Sequence, residues 1–344
     1  MRGKLSGSAS SVAGEVVFNT GMVGYPEAMT DPSYKGQILV FTFPLIGNYG
    51  IPSSHCDSEI NDAFESDRIQ VAGIVAAELT PNHNHWNSAK SIDKWLKENG
   101  VPAVSGVDTR ALTKKLRQEG SMLGRIAADG ADGSDALPFY DPNKDNLVAQ
   151  VSIKAPRRYG NGRKTVVLVD CGSKNNIIRS LISNDCTVVR VPWDYDFLDE
   201  HYDGIVISNG PGDPEKCGKT VHHLQKALSR DKPILGICLG NQLLALAAGA
   251  RTYKMKFGHR SQNQPCIESG SNRCYITSQN HGYGVDNASI PKKWEPWFVN
   301  ANDGSNEGLK HKTKPFFSIQ FHPEATPGPV DTRYIFNKFI GILP

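Results

Sequence analysis

Residues 236–240 read GICLG, a thiol, Cys238, set between two glycines in the pattern Gly-x-Cys-x-Gly. The apolar run PIL precedes it and NQLLALAAG follows it, so the pattern sits where a strand turns sharply into a helix. Glycines permit that turn, and the turn lifts a nucleophile out above the sheet. A cysteine there occupies a helix N-terminus, where the dipole and the free N–H groups favour a thiolate. The backbone N–H of Leu239 would then face a developing oxyanion. Cysteine is more often an inert buried residue at the end of a core strand; the flanking glycines and the strand-to-helix context argue for the reactive alternative here. A nucleophile needs a base, and the base needs an orienting acceptor. FHPE, 321–324, supplies both: His322 and Glu324 stand two apart at the end of the apolar strand FFSIQF, with Pro323 stiffening the turn. Alone, such a pair would be an ordinary surface turn. With the elbow it completes a Cys-His-Glu constellation. SNGPGDP, 208–214, ends another strand. Gly210 and Gly212 about Pro211 make either a plain tight turn or a stiff loop whose bare N–H groups face an anion or oxyanion. It is not a phosphate loop, because neither Gly-x-x-x-x-Gly-Lys-Ser/Thr nor Gly-x-Gly-x-x-Gly after a strand occurs. These residues imply a cysteine hydrolase or acyl-transfer site and leave the acyl group open.

The elements that must position these groups follow from periodicity. From residue 164, KTVVLVD is an apolar strand, NNIIRSLISN a helix, TVVRVP and GIVISNG strands, KTVHHLQKALSR a helix, PILGIC a strand and NQLLALAAG a helix. Wholly apolar strands alternating with helices imply a mostly parallel sheet covered on both faces. After residue 251 short strands follow (YKMKF, CYITSQ, WFVNAN, FFSIQF), and an amphipathic helix, DTRYIFNKFI, closes the pattern. Upstream, GEVVFNT, GQILVFTFPLIG and VPAVSGVDT read as strands. Residues 89–98 and 109–118 have helical spacing, with Asp108 and Thr109 where a cap would precede the second helix. Two Gly/Pro-rich stretches, 131–142 and 155–163, separate the halves, and the second adjoins the βα pattern. The expected fold class is α/β, with an N-terminal α+β domain over 1–150, a linker over 151–163 and the α/β domain over 164–344.

The chain has 344 residues, 39% hydrophobic and 21% charged, with a net charge of +3, the profile of a soluble globular protein of two domains. That charge is mild and dispersed, and no basic block is interleaved with aromatics, so nucleic acid is not an expected partner. Without an apolar run of membrane length or a signal-like leader, neither membrane insertion nor secretion is expected. Seven cysteines without a C-x-x-C pair read as reduced thiols in a cytoplasmic protein. No metal site is expected, since no Cys/His cluster has ligand spacing and His83 with His85 lacks a third ligand.

SNGPGDP, GICLGNQLLALAAGA, QNHGY and FHPE, in that order over about 164–340, resemble the class I glutamine amidotransferases. GEVVFNTGMVGYPEAMTDPSYKGQ, PLIGNYG and GVDTRALTKKLR resemble the N-terminal domain of the carbamoyl-phosphate synthetase small chains. The resemblance implies that Cys238 attacks the carboxamide of glutamine, that His322 moves protons and that Glu324 holds its tautomer. A glutamyl thioester would form, release ammonia and be hydrolysed to glutamate. Leu239 and Gly212 would donate to the oxyanion. Gln242, Asn280, Gly282, Tyr283, Gly210 and Ser33 match positions that hold the substrate's amino-acid end, and Ser33 would place that pocket between the domains. Tyr283 stands where the family often has Phe. The family also opens with an extra strand and turn ahead of MRGKLSG, which leaves the edge of the first sheet open. By resemblance the stable partner is a large synthetase chain, in a heterodimer or one fused polypeptide, serving arginine or pyrimidine synthesis. That chain would receive the ammonia and carry ATP and metal, so this one would need no cofactor.

Three other readings compete. A glutaminase for another synthetase would lack this N-terminal half. An inactive docking module would not need Cys238, His322 and Glu324 together. A cysteine hydrolase of peptides or other amides would not be selectively protected by glutamine.

Overall fold

A computed structural model describes residues 1–53, 60–128 and 137–344. Cys56 and the first half of the 131–142 stretch lie outside the described residues. The chain divides into two compact units, Met1–Asp145 and Asn146–Pro344.

The first unit is built on a six-stranded sheet in the order Lys4–Gly7, Pro102–Ser105, Gly73–Val75, Gln37–Phe41, Val12–Asn19, Met122–Ile126. Its four inner strands are parallel and its two edge strands antiparallel. Val17, Met29, Leu39, Ile74, Leu96 and Ala103 share its core. The helix expected over 89–98 is Ile92–Glu98. Ser88–Lys90 instead forms a short strand, and the Ser91 hydroxyl caps the helix by accepting from Lys94 N at 3.3 Å. The helix Thr109–Glu119 is capped as its sequence implies, with Asp108 Oδ1 accepting from Ala111 N at 2.8 Å.

The second unit carries a ten-stranded sheet. Five central strands run parallel in the order Cys186–Pro192, Lys164–Asp170, Gly204–Ile207, Ile234–Ile237, Phe316–Ile319. Val166, Val167, Leu168 and Val169 are all 0% exposed. Successive strand residues point to opposite faces, so both faces are covered, which explains the unbroken apolar sequence. Each such side chain contributes about 1.5–3 kcal/mol through burial. Beyond Phe316–Ile319 the sheet continues as an antiparallel arm of Asn306–His311, Trp294–Asn300, Thr252–Glu268 and Cys274–Val285. The arm strands extend beyond their apolar runs through buried polar residues such as His259, Arg260, Ser261 and Glu307. Within the expected linker 151–163, Arg157–Tyr159 pairs antiparallel with Cys186–Pro192 and edges the sheet. No helix among the described residues is long and apolar enough to cross a membrane.

Candidate active site

The parallel strands deliver their C-terminal ends to one edge of the sheet, and the sulfur stands there. Ile234–Ile237 ends at Cys238, and Leu239–Ala248 begins at the next residue. Cys238 adopts φ 55°, ψ −104°, a left-handed conformation that costs a non-glycine residue about 1–3 kcal/mol. Its N–H is held by Ile319 O at 2.8 Å, so the neighbouring strand clamps the strained turn. The flanking glycines are steric necessities: a Cβ on Gly236 would lie 2.5 Å from Gly240 O, and one on Gly240 would lie 2.3 Å from Ile207 O. Leu239, as the first helical residue, has no intrahelical acceptor for its N–H.

Phe316–Ile319 pairs directly with the elbow strand, which brings the following turn, with His322 and Glu324, to the thiol. Both residues are buried, 2% and 0% exposed. His322 Nδ1 is 2.6 Å from Glu324 Oε1, while Nε2 makes no hydrogen bond of good geometry. Burial opposes the charged imidazole, but Glu324 and then Cys238 outweigh it, lifting the His322 pKa to about 10. Burial likewise opposes the Glu324 carboxylate, and Lys174 and His322 outweigh it, holding that pKa at about 2. Sequence, loop and strand pairing thus assemble one nucleophile–imidazole–carboxylate line.

The sequence reading missed Lys174. Its ammonium lies 3.1 Å from Glu324 Oε1 with only 4% of the side chain exposed, and it donates to Ala325 O at 2.5 Å. Asn209 of the SNGPGDP loop fixes it, accepting from Lys174 N at 3.0 Å. Nothing local marks this lysine; only its place just after an apolar strand, beside that loop, hints at burial. Gln320 was also missed. Its Nε2 lies 3.7 Å from Cys238 Sγ and its Oε1 accepts from Asn241 at 3.1 Å and Gln242 at 3.2 Å.

The remaining expected residues fall into two groups. Gly210 packs close to the elbow, since a Cβ there would meet Cys171 O at 2.0 Å and Leu239 Cδ2 at 2.9 Å. Gly212 has φ +81° and Leu147 at 3.4 Å from its Cβ position. Asn280, Gly282 and Tyr283 lie on the strand Cys274–Val285. The thiol is 3.6 Å from Asn280 O, and Gln242 braces the same strand by donating to Tyr283 O at 2.8 Å. Ser33 belongs to the first unit, in the short turn Pro32–Tyr34, where its N–H donates to Asp31 Oδ1 at 2.9 Å.

Two families match the chain. Glutamine amidotransferase class-I covers residues 167–342, and the CPSase domain of the carbamoyl-phosphate synthase small chain covers residues 1–126. The carbamoyl phosphate synthase arginine-specific small chain of Aspergillus oryzae is 50% identical over 98% of this chain and 77% of its own length. The multifunctional protein CAD of Squalus acanthias is 53% identical over 98% of this chain and 15% of its own. The multifunctional protein pyr1-3 of Dictyostelium discoideum is 50% identical over 97% of this chain, which spans 16% of that protein.

Proposed function

This chain belongs to the carbamoyl-phosphate synthase small-chain family and carries a class-I glutamine amidotransferase domain, and we propose on that premise that it hydrolyses glutamine and passes the ammonia to a synthetase chain. The observation that carries this reading is the strained Cys238 at the helix start, together with the buried His322–Glu324 pair whose imidazole interacts with the Cys238 sulfur.

Cys238 Sγ attacks the carboxamide carbon of glutamine, and the oxygen of the tetrahedral adduct takes the N–H of Leu239, with Gly212 as a second donor. His322 takes the Cys238 thiol proton at Nε2 as the sulfur attacks, its raised pKa favouring the proton-bearing form, and passes that proton to the leaving ammonia. Glu324 keeps Nδ1 occupied, which directs the mobile proton to Nε2. Once ammonia leaves, the neutral imidazole takes a proton from water, and the hydroxide cleaves the glutamyl thioester to glutamate. Gly210, Gln242, Asn280, Gly282, Tyr283 and Ser33 are assigned to the amino-acid end of the substrate. The ammonia is consumed on a large chain that binds ATP and metal, so this chain supplies nitrogen and no cofactor chemistry. The product feeds arginine or pyrimidine synthesis in the cytoplasm.

The test is glutamate release from glutamine by the purified chain, alone and with a large synthetase chain, beside Cys238→Ser. Hydrolysis that rises with the partner and vanishes in the variant supports the reading. Release undiminished in Cys238→Ser overturns the mechanism. A wild-type chain that binds its partner yet never releases glutamate makes it a docking module.

A further inference from the structure

The antiparallel arm of the second unit builds a buried cluster of titratable groups distinct from Cys238, His322 and Glu324. His259 on Thr252–Glu268 and His281 on Cys274–Val285 are direct cross-strand partners, with ring centroids 5.0 Å apart and edge to face. Glu307, on Asn306–His311, brings its carboxylate to the same point, and one donor atom from each residue lies within 4.8 Å of the others. The three are 6%, 5% and 0% exposed.

The outward nitrogens are tied. His259 Nε2 is 2.9 Å from Asp303 Oδ2, and His281 Nδ1 is 2.8 Å from the Tyr283 carbonyl. A carboxylate on one ring and a backbone carbonyl on the other are the supports that fix the tautomer of metal-ligating histidines. The inward atoms face one another, and Glu307 Oε1 also accepts from Asn300 Nδ2 at 3.0 Å. His259 Nδ1 is 3.3 Å from Glu307 Oε1 without a hydrogen bond of good geometry, and Glu307 Oε2 makes none. His281 Nε2 is 3.0 Å from Gln279 Oε1. Gln279 keeps that oxygen inward because its Nε2 points to Thr277 Oγ1 at 3.1 Å and Cys266 Sγ at 3.3 Å. A neutral His281 donating from Nδ1 therefore sets a lone pair against a carbonyl lone pair.

We propose that His259, His281 and Glu307 form a binding site for a divalent ion of the zinc class. Two imidazoles and a carboxylate are a zinc donor set, and bonds of about 2.0 Å to a tetrahedral ion place neighbouring donors about 3.3 Å apart. The His259–Glu307 separation of 3.3 Å matches that edge length, and Gln279 Oε1, 3.0 Å from His281 Nε2, would serve as fourth donor if an ion replaced that contact. An ion here ties three strands together beside the elbow, since Asn280, next to His281, is the residue whose carbonyl faces the thiol. The inference does not depend on what Cys238 attacks.

The experiment uses the full chain with Cys56, Cys238 and Cys274 replaced by serine, stripped with a chelator and titrated with Zn²⁺ by calorimetry and with Co²⁺ by visible absorption. The expected result is one ion per chain, a tetrahedral Co²⁺ spectrum without a thiolate charge-transfer band, and a rise in Tm on Zn²⁺ addition. His259→Gln and Glu307→Gln each weaken binding at least about tenfold, and Asp303→Asn, which leaves the donors intact, does so by about 10- to 100-fold. Circular dichroism identifies a variant that has lost its fold, and Asp303→Asn then decides. Absence of stoichiometric binding, a thiolate band, or affinities unchanged in the folded variants overturns the proposal.

Discussion

Lys174→Met tests whether the buried ammonium is what keeps Glu324 charged beneath His322. Two unit charges 3.1 Å apart attract by about 5 kcal/mol at an effective dielectric of about 20. Removing the lysine also removes its own desolvation cost, so the net loss is smaller; breaking one side of a buried pair costs about 3–5 kcal/mol. The lower end applies here, because His322 Nδ1, 2.6 Å away, still faces the carboxylate. A loss of about 3 kcal/mol corresponds to a fall of about 6–12 °C in Tm for a unit of this size, read by scanning calorimetry at pH 7. The decisive arm is a cycle with Glu324→Gln. In the Lys174→Met background that second change removes an under-compensated carboxylate, so the two substitutions should couple by about 2–3 kcal/mol. Glutamate release should show the same link, with the acid limb of its pH profile moving upward in Lys174→Met as Glu324 loses the cation that lowers its pKa. Additivity within about 0.5 kcal/mol together with an unmoved acid limb would refute the reasoning.

Cys238→Gly and Cys238→Ala should both abolish glutamate release, yet Gly should be the more stable by about 1 kcal/mol, because it relieves the φ of 55°. Equal melting temperatures would mean that the elbow stores no strain. Gly240→Ala forces a Cβ to 2.3 Å from Ile207 O and should destabilise by about 1–3 kcal/mol while lowering activity through displacement of the elbow; a variant with native Tm would refute the close approach. The His322–Glu324 pair also sets a pH window. Glu324, lowered from 4.5 to about 2, contributes stability that is complete above pH 4.5 and lost as pH falls toward 2. His322, raised from 6.5 to about 10, contributes stability that is complete below pH 6.5 and lost as pH rises toward 10. The alkaline decline, followed by urea unfolding across that range, should flatten in Glu324→Gln, and an unchanged slope would assign it to other groups.

The parallel core was legible because its signal is local. Lys164–Asp170 is bounded as its apolar run implies, since a strand buried on both faces leaves no polar residue to blur the edge. The strands missed or drawn too short have the opposite character. Asn306–His311 reads NEGLKH and Arg157–Tyr159 reads RRY, so neither shows a periodicity that separates it from a loop. Both are strands because a neighbour supplies a ladder of hydrogen bonds, and that is a tertiary cause. The helix beginning at Ile92 was extended too early for a related reason: Ser91 stops it with one hydrogen bond, which apolar spacing does not record.

The site divides along the same line. Cys238, His322 and Glu324 were readable because each lies in a short motif whose glycines or proline announce a turn. Lys174 carries no such mark, and lysine is ordinarily solvated; it is buried here because Glu324, 150 residues later in the chain, repays its desolvation. His259 and His281 are separated by strand register rather than by ligand spacing, so their meeting follows only from the pairing that sets them opposite each other. Sequence therefore exposes the groups that a turn must present, whereas the groups that neutralise or orient them arrive on other strands. Each of those carries a buried charge or lone pair that is stable only when its partner is in place. A buried polar atom such as Glu307 Oε2, with no hydrogen bond of its own, is for that reason a better guide to undiscovered chemistry in this chain than any further motif.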